Sequence, residues 1–514
     1  MAVTTFAAID VGSNEICIKI FEFAKKNQIR ILTHVRHIME LGSDTYANGY
    51  ISAHMIDELC DVLKGFTMIM KDYGVKAYKA YCTSSIREAT NRHFLLDRVR
   101  VRTGIEVTIL SNSEQRFLLL QALALNEPDF NSVIKNGLII VEVGSGSSQA
   151  TCFSDGKLIN SQNMRLGSIR INEILRDPER TADSYTDLLK EYIAADIYTS
   201  YRKYFNKFNI KTILAVGEGL RSLRQYINYC YPERDTLTAK ELNRVYDSLF
   251  SLSISELAGI VENSEEQAKL ILPTAMIYEQ IMNINNAEKI MFNMTDLCDG
   301  IAYEYAASNN RITPARNFDL DILFACKKIA EKYLSNSDHT SYVEKIALKI
   351  FDGIDNISGL GCRDRLLLQA AVQMHDIGTF VNFNNIEKNS SDIILSSEII
   401  GLSDKEKHII AGVVKYHTDS FPSLSDMEVT DTEEDYIKIA KLTAIYRLAN
   451  ALDASKRQKL SHVKVNFHND MLTITGESFM DLSLETTFFE DEASFFKITY
   501  GIAPALKQRR IAHV

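Results

Sequence analysis

The sequence predicts an α/β protein of two similar lobes, followed by an all-α region and a small C-terminal β-rich domain. Three observations predict it. Residues 1–122 alternate strand-like and helix-like segments, and a strand, small-residue turn, strand pattern recurs about 130 residues further on. From 318 to 457 the apolar spacing is helical, and short strands return near 460. A chain of 514 residues is too long for one core. The pattern places domains at 1–122, 123–308, 309–458 and 459–514.

FAAID (6–10) and EICIKIFEF (15–23) read as strands joined by a short Gly-Ser-Asn turn, a hairpin. Residues 53–74 have amphipathic helical spacing, and AYKAYCTSS (77–85) returns to strand. Arg98, Arg100 and Arg102 alternate as on an exposed strand face. SNSEQR (111–116) lies between a strand-like and a helix-like run, and Ser111 and Glu114 have the spacing of a capping box. After the NEPDF turn (126–130), NGLIIVEVGSGSSQATCF (136–153) repeats the strand, turn, strand pattern. Residues 180–290 are mainly helical around the strand KTILAVG (211–217), and NNRITPARN (309–317) reads as a linker. VKVNF, MLTIT and FFKITY are the expected strands of the last domain, ending in a short basic tail at 507–510.

A net charge of −10 and a pI near 5.7 argue against a sequence-independent nucleic-acid binder, but leave room for an anionic substrate held by local loops. The N-terminus lacks a signal-peptide pattern, and no apolar run approaches a bilayer span. Eight scattered cysteines without a CxxC pair read as reduced, mostly buried thiols, and the expectation is a cytoplasmic protein without nucleic-acid or membrane partners.

Three Gly-rich turns follow apolar strands: Asp10-Val11-Gly12-Ser13-Asn14, Glu142-Val143-Gly144-Ser145-Gly146-Ser147-Ser148, and Ala215-Val216-Gly217-Glu218-Gly219. Each alone suffices as a tight turn. Together they are candidate anion cradles, because such turns aim backbone N–H groups into one concavity.

The ordered set FAAIDVGSNEICIKIFEF, YCTSSIREATNR, ILSNSEQR, LIIVEVGSGSSQATCF and LAVGEGLRSL resembles the exopolyphosphatase/guanosine pentaphosphate phosphohydrolase family, over about residues 5–305. The resemblance implies two actin-like (ribonuclease-H-like) lobes with an active cleft between them, and a homodimer, as is common for long members. By position, Asp10, Gly12, Ser13 and Asn14 match the first phosphate loop, and Gly144, Gly146 and Ser147 the second. Ser145, Gly217 and Gly219 complete the candidate phosphate-binding set, and Arg87 matches an arginine expected to grip phosphate. The implied reaction is attack of glutamate-activated water on a terminal phosphoryl group, with Mg²⁺ neutralising charge.

Several positions depart from that pattern. Where the family's second loop reads DIGGGSTE, this chain has Glu142, Ser145 and Gln149 at the aspartate, the middle glycine and the closing glutamate. Glu142 still offers a carboxylate to Mg²⁺; Gln149 is a poorer ligand for a hard cation. Leu220 follows Gly219 where a threonine is usual, and Cys298 stands where an arginine is usual. In the family's ISGxEEARL stretch the second glutamate is the base. A gapless alignment puts Gln115 there. A one-residue deletion puts Glu114 there and restores Arg116, and this second register is preferred.

His339, His375, Asp376 and Asp453 lie in contexts that resemble the HD-superfamily phosphohydrolase pattern, which implies one divalent transition metal in an HD-like domain. His417 matches a further position, whereas Glu387 and Asn389 replace the histidines of a second metal site. The favoured expectation is release of orthophosphate from polyphosphate or guanosine penta/tetraphosphate, with Glu114 as base and Arg87 beside it. A nucleotide phosphohydrolase centred on the HD-like region and a non-catalytic phosphate or nucleotide sensor are the alternatives.

Overall fold

The structure is a computed structural model that describes residues 3–510 apart from 128, 180–183, 205–207, 315, 419 and 428–431. Pro128 of the expected 126–130 turn and residue 315 of the expected linker therefore lie outside the described residues. The chain forms two compact units, Met1–Asn317 and Phe318–Val514.

The first unit begins with β1 (Thr4–Val11), β2 (Glu15–Phe23), β3 (Arg30–Ile38), α1 (Leu41–Asn48), α2 (Ala53–Asp72) and β4 (Ala77–Cys82). It continues through α3 (Ser84–Glu88), α4 (Arg92–Thr103), β5 (Val107–Ile109), α5 (Asn112–Asn126) and the short α6 (Phe130–Val133). The sheet order is β3-β2-β1-β4-β5, with β1, β2 and β3 antiparallel and β1, β4 and β5 parallel.

The second half repeats this plan. β6 (Leu138–Val143), β7 (Ser148–Ser154) and β8 (Lys157–Met164) form the antiparallel part. Next come α7 (Ser168–Glu179), α8 (Tyr185–Tyr204), β9 (Thr212–Val216), α9 (Leu220–Cys230), β10 (Thr236–Thr238), α10 (Ala239–Phe250), α11 (Ile254–Ile260), α12 (Glu265–Ala268), α13 (Ile271–Asn285), β11 (Lys289–Phe292) and α14 (Leu297–Ser308). The order β10-β11-β9-β6-β7-β8 reproduces the first sheet with β6, β7, β8, β9 and β11 in the places of β1 to β5. β10 adds one antiparallel edge strand. The repeat read from the turns is thus a repeat of whole sheets.

Central strands here are buried on both faces, which is why their sequences are nearly continuous apolar runs. Ala7, Ile9 and Val11 of β1 join Leu59, Leu63 and Phe66 of α2 in one core. Phe6 and Ala8, on the opposite face by strand alternation, join Leu118 of α5 and Cys298 and Ile301 of α14. So α14, the last helix of the unit, returns to cover the first sheet. It approaches α5 closely: a Cβ on Gly300 would lie 2.6 Å from the Leu118 backbone.

Two strand assignments are corrected. Arg98, Arg100 and Arg102 lie on helix α4, where Leu95 and Val99, one turn apart, are buried and Arg98 and Arg102 both reach Asp57 of α2. Five alternating residues fit either period, and the buried pair decides. FFKITY belongs to helix α22 (Ser483–Tyr500), where Phe489 and Phe496, seven residues apart, are buried. Packing outweighs the local aromatic and β-branched preference for strand.

The second unit opens with helices α15 (Phe318–Lys332), α16 (Ser337–Gly353), α17 (Asp355–Ser358), α18 (Cys362–Met374), α19 (Ile386–Ser396), α20 (Asp404–Lys415) and α21 (Glu433–Ala451). It closes with β12 (Ser461–His468), β13 (Met471–Ser478), α22 and β14 (Ala503–Arg510), in the sheet order β12-β13-β14. The third strand is therefore 503–510, so the expected basic tail is a strand pairing parallel to β13 across the α22 crossover. Among the described residues no helix is long and apolar enough to cross a membrane. Of the cysteines, Cys362 is exposed, Cys230 half-buried and the remaining six buried as free thiols.

Candidate active site

The duplicated sheets bring equivalent turns to one cleft. Gly12 N–H donates to Glu15 O at 3.0 Å and Gly144 N–H to Ser147 O at 3.0 Å, the same tight turn after β1 and after β6. The strand ends of β4 and β9 add Thr83-Ser84 and Gly217-Glu218. Gly217 has φ +101°, and a Cβ there would stand 2.9 Å from Val143 O, so that turn requires glycine. Around the resulting cavity lie Asp10, Gly12, Ser13, Gly144, Ser145, Gly146, Ser147, Gly217 and Glu218, together with Ser84, Gln115, Glu142, Arg221 and Asp296.

Other expected phosphate-binding residues are held by protein partners. Asn14 exchanges hydrogen bonds with Gln267 of α12, at 3.1 and 2.8 Å. Gly219 N–H donates to Val143 O at 3.1 Å, which ties the third turn to the second. The Arg87 guanidinium donates to Leu110 O at 2.6 Å and Asn112 Oδ1 at 2.5 Å, so it holds the start of α5 and is not among the cleft-lining residues. Cys298, at the position where an arginine was expected, is buried with its Sγ 3.5 Å from that of Cys17. The nearby cations are Lys19, which reaches Asp296 at 2.8 Å and Asp299 at 3.0 Å, and Arg221, 2.9 Å from Asp296.

At the start of α5 the two candidate bases lie in different surroundings. Ser111 Oγ accepts from Glu114 N–H at 3.2 Å, and Glu114 Oε2 accepts from Ser111 N–H at 3.0 Å and from Ser111 Oγ at 2.7 Å. The capping box is complete, and the carboxylate it uses is turned back on its own helix. One residue further round, Gln115 lines the cleft, and its Nε2 donates to Glu142 Oε1 at 2.8 Å. Glu114, the preferred base, is thus held by the cap and is not among the cleft-lining residues, whereas Gln115, the residue of the gapless register, is. Arg116, which the other register would restore, is buried and bonded to Ser161 of β8.

The cleft is rich in uncompensated carboxylate. Asp10 Oδ1, Glu142 Oε2 and Glu218 Oε1 are buried without a hydrogen-bond partner. Burial, with Glu218 and then Asp296 beside it, pushes the Asp10 carboxyl well above its usual range. Burial raises Glu142 too, against the opposing Gln115 hydrogen bond. Glu218 is pushed up to about 8 by burial and by Glu15, although Asn14 and Ser145 hydrogen-bond it and Arg221 is near. Asp296 stays below its usual range despite its burial, because Lys19 and Arg221 pair with it. Glu218 was missed as a candidate. The signal was a carboxylate between two glycines in a turn proposed to bind an anion. Gln149, opposite Glu142 in the β6–β7 ladder, has both amide atoms buried without partners.

In the second unit the HD-like residues do converge. His339 Nδ1 lies 2.8 Å from Asp453 Oδ2, and the His375 ring centre lies 5.4 Å from that of His339 and 5.8 Å from that of His417. Both carboxylates are already satisfied by protein donors. Asp376 accepts from Ser335 Oγ and from Asn336 N–H at 3.1 Å, and Asp453 from Gln458 N–H at 2.7 Å and Nε2 at 2.9 Å. Among the described residues no three His, Cys, Asp or Glu side chains are gathered closely enough to cage a metal ion.

Two duplicated sheets presenting paired Gly-rich turns to a shared cleft define a two-lobed α/β class of protein. Residues 20–309 match the Ppx/GppA phosphatase family and residues 324–493 match domain III of Ppx/GppA phosphatases. The chain belongs to the Ppx/GppA phosphatase family, in its long form. It is similar to a guanosine-5'-triphosphate,3'-diphosphate pyrophosphatase of Photobacterium profundum, 19% identical over 446 residues, 86% of each chain. A bifunctional 3-dehydroquinate synthase/phosphatase of Fusobacterium nucleatum is 22% identical over 318 residues, 58% of this chain and 46% of that protein. Among solved structures, an exopolyphosphatase from Cytophaga hutchinsonii has a TM-score of 0.53 at 17% identity, over 59% of this chain and 98% of its own. An exopolyphosphatase-like protein has 0.52 at 16%, over 60% and 99%. The lobes are thus of the actin-like, ribonuclease-H-like kind.

Proposed function

We propose that this chain hydrolyses the terminal phosphoanhydride of inorganic polyphosphate or of guanosine pentaphosphate, slowly, with Gln115 and Glu142 handling the water. The carrying observation is the 2.8 Å hydrogen bond from Gln115 Nε2 to Glu142 Oε1 in a cleft built of phosphate-type turns. That bond fixes the amide, and leaves its carbonyl oxygen to accept from a water. Glu142 Oε2, buried and without a partner, is the atom that takes the proton. Burial makes this carboxylate a stronger base than an exposed one. An amide that orients water without deprotonating it is a known arrangement for slow phosphoryl transfer.

The donor set fits a divalent cation. Five acidic side chains and one arginine line the cleft, and the raised carboxyls of Asp10 and Glu218 reflect burial and crowded negative charge that a cation would relieve. The donors are all oxygen, and Asp10 and Glu218, each with one unpartnered oxygen, line the same cavity. Mg²⁺ suits this better than a softer metal, since it keeps several waters and needs only one or two carboxylates besides substrate phosphate. When bound it would neutralise charge on the phosphates. Asp10 and Glu218 would hold it, while Gly12, Gly144 and Gly146 present their turns to the phosphoryl oxygens.

The test is orthophosphate release from long-chain polyphosphate and from guanosine pentaphosphate, with Mg²⁺ or with chelator, for wild type and Glu142→Gln. Mg²⁺-dependent release that falls at least about a hundredfold in the variant is expected. Release that ignores Glu142 would sink the reading. The same amide favours a second reading, a sensor that binds a phosphate terminus without turnover. Binding of either substrate with no release by wild type would select it.

A further inference from the structure

Three hydroxyl groups meet at one wall of the cleft. Ser13 Oγ, from the first turn, lies 2.9 Å from Tyr46 Oη and 3.0 Å from Ser84 Oγ. Tyr46 Oη lies 3.1 Å from Ser84 Oγ and closes the triangle. Ser13 and Ser84 line the cavity, whereas Tyr46, on α1, stands behind them.

The position of Tyr46 is built from several sides. Its ring lies under the Arg170 guanidinium of α7, 4.1 Å from the centroid. Arg170 in turn donates to Gly146 O at 2.6 Å and to Glu88 at 2.6 Å. The hydroxyl presses so closely on the second turn that a Cβ on Gly146 would lie 1.8 Å from it. Burial raises the phenol above its ordinary range, so it keeps its proton.

A triangle of three hydroxyls has three edges and three protons. When each group donates along one edge, all three protons are used and only lone pairs face outward. An anionic phosphate oxygen needs protons from Ser13 and Ser84, and the closed triangle offers it none. We propose that Tyr46 sets the affinity of the cleft for a terminal phosphate by holding the Ser13 and Ser84 hydroxyls in a closed ring that the phosphate must open. The hydroxyl is a competitor for the site, not a ligand of it. Without it, the two serines share one hydrogen bond and one proton is free for the anion. This rests on the reading of the cleft as a phosphate site given above.

Calorimetric binding of magnesium tripolyphosphate to the full chain tests the ring, with wild type, Tyr46→Phe, Ser13→Ala/Ser84→Ala, and the triple variant. Phenylalanine keeps the ring under Arg170, and an unchanged melting temperature reports that the fold is kept. Tyr46→Phe is expected to bind about three- to tenfold more tightly, the size of one hydrogen bond no longer broken. The gain should vanish in the background lacking both serines. Binding by wild type with unchanged or weaker binding by Tyr46→Phe overturns the ring and leaves the cleft reading standing. A gain that persists without the serines also overturns it. Failure of both wild type and Tyr46→Phe to bind overturns the cleft reading and the ring with it.

Discussion

Gln115 donates from its side-chain Nε2 to Glu142 Oε1 at 2.8 Å, while its neighbour Glu114 is folded back on Ser111. Two adjacent residues at one helix start thus divide the work, one as a cap and the other as part of a cleft. A helix turns about 100° per residue, so the two side chains cannot share a direction.

Gln115→Glu places a carboxylate where the amide now donates to Glu142. It is expected to raise the rate of orthophosphate release from magnesium polyphosphate by about 10²-fold, the lower end of what a general base contributes. A release assay at neutral pH checks it, and a rate at or below wild type would count against the water-handling role of Gln115.

Ser111→Ala should cost about 1 kcal/mol of stability, because it leaves N-terminal helix donors uncapped. Denaturant unfolding of the full chain reads this. Phosphate release per folded molecule is expected to change by less than about twofold, since neither Ser111 nor Glu114 lines the cleft.

Glu218 gives a pH dependence. Burial pushes its carboxyl from 4.5 up to about 8, so the folded chain holds a proton there that the unfolded chain releases. Between those values stability falls as pH rises, because the unfolded state binds fewer protons. Glu218→Gln should remove on the order of a few kcal/mol of that fall. Denaturation midpoints at pH 5 and pH 8 check it, and an unchanged slope would contradict the burial of the carboxyl.

In the second unit, His339→Ala removes the imidazole held 2.8 Å from the fully buried Asp453. The expected loss is about 3 kcal/mol, the usual cost of stranding one member of a buried pair. Thermal unfolding measures it, and a loss under about 0.5 kcal/mol would show that Gln458 alone satisfies Asp453.

Much of the fold was legible because its signals are local. The hairpin of β1 and β2, the capping box at Ser111 and the recurrence at 136–153 each follow from spacing within a few residues. The exceptions share one cause. Arg98–Arg102 and FFKITY are short runs whose period is ambiguous, and only burial of Leu95, Val99, Phe489 and Phe496 fixes them. At the site, the glycine turns were readable because close backbone approach demands glycine. The facing of Glu114, Gln115 and Arg87 was not. It depends on which helical residue meets the cleft and on whether a nearer partner, such as Ser111 or Leu110, takes the side chain first. Glu218 and Tyr46 escaped because their roles arise from neighbours far away in sequence: Glu15 and Asn14 for one, Ser13, Ser84 and Arg170 for the other.

The proposed mechanism gives the water to Glu142, with Gln115, and not to Glu114. Single-turnover orthophosphate release from magnesium polyphosphate by Glu114→Gln and Glu142→Gln tests it most directly. Glu114→Gln is expected to stay within about twofold of wild type and Glu142→Gln to fall by about a hundredfold or more. Loss of release in Glu114→Gln, with Glu142→Gln still active, would contradict it.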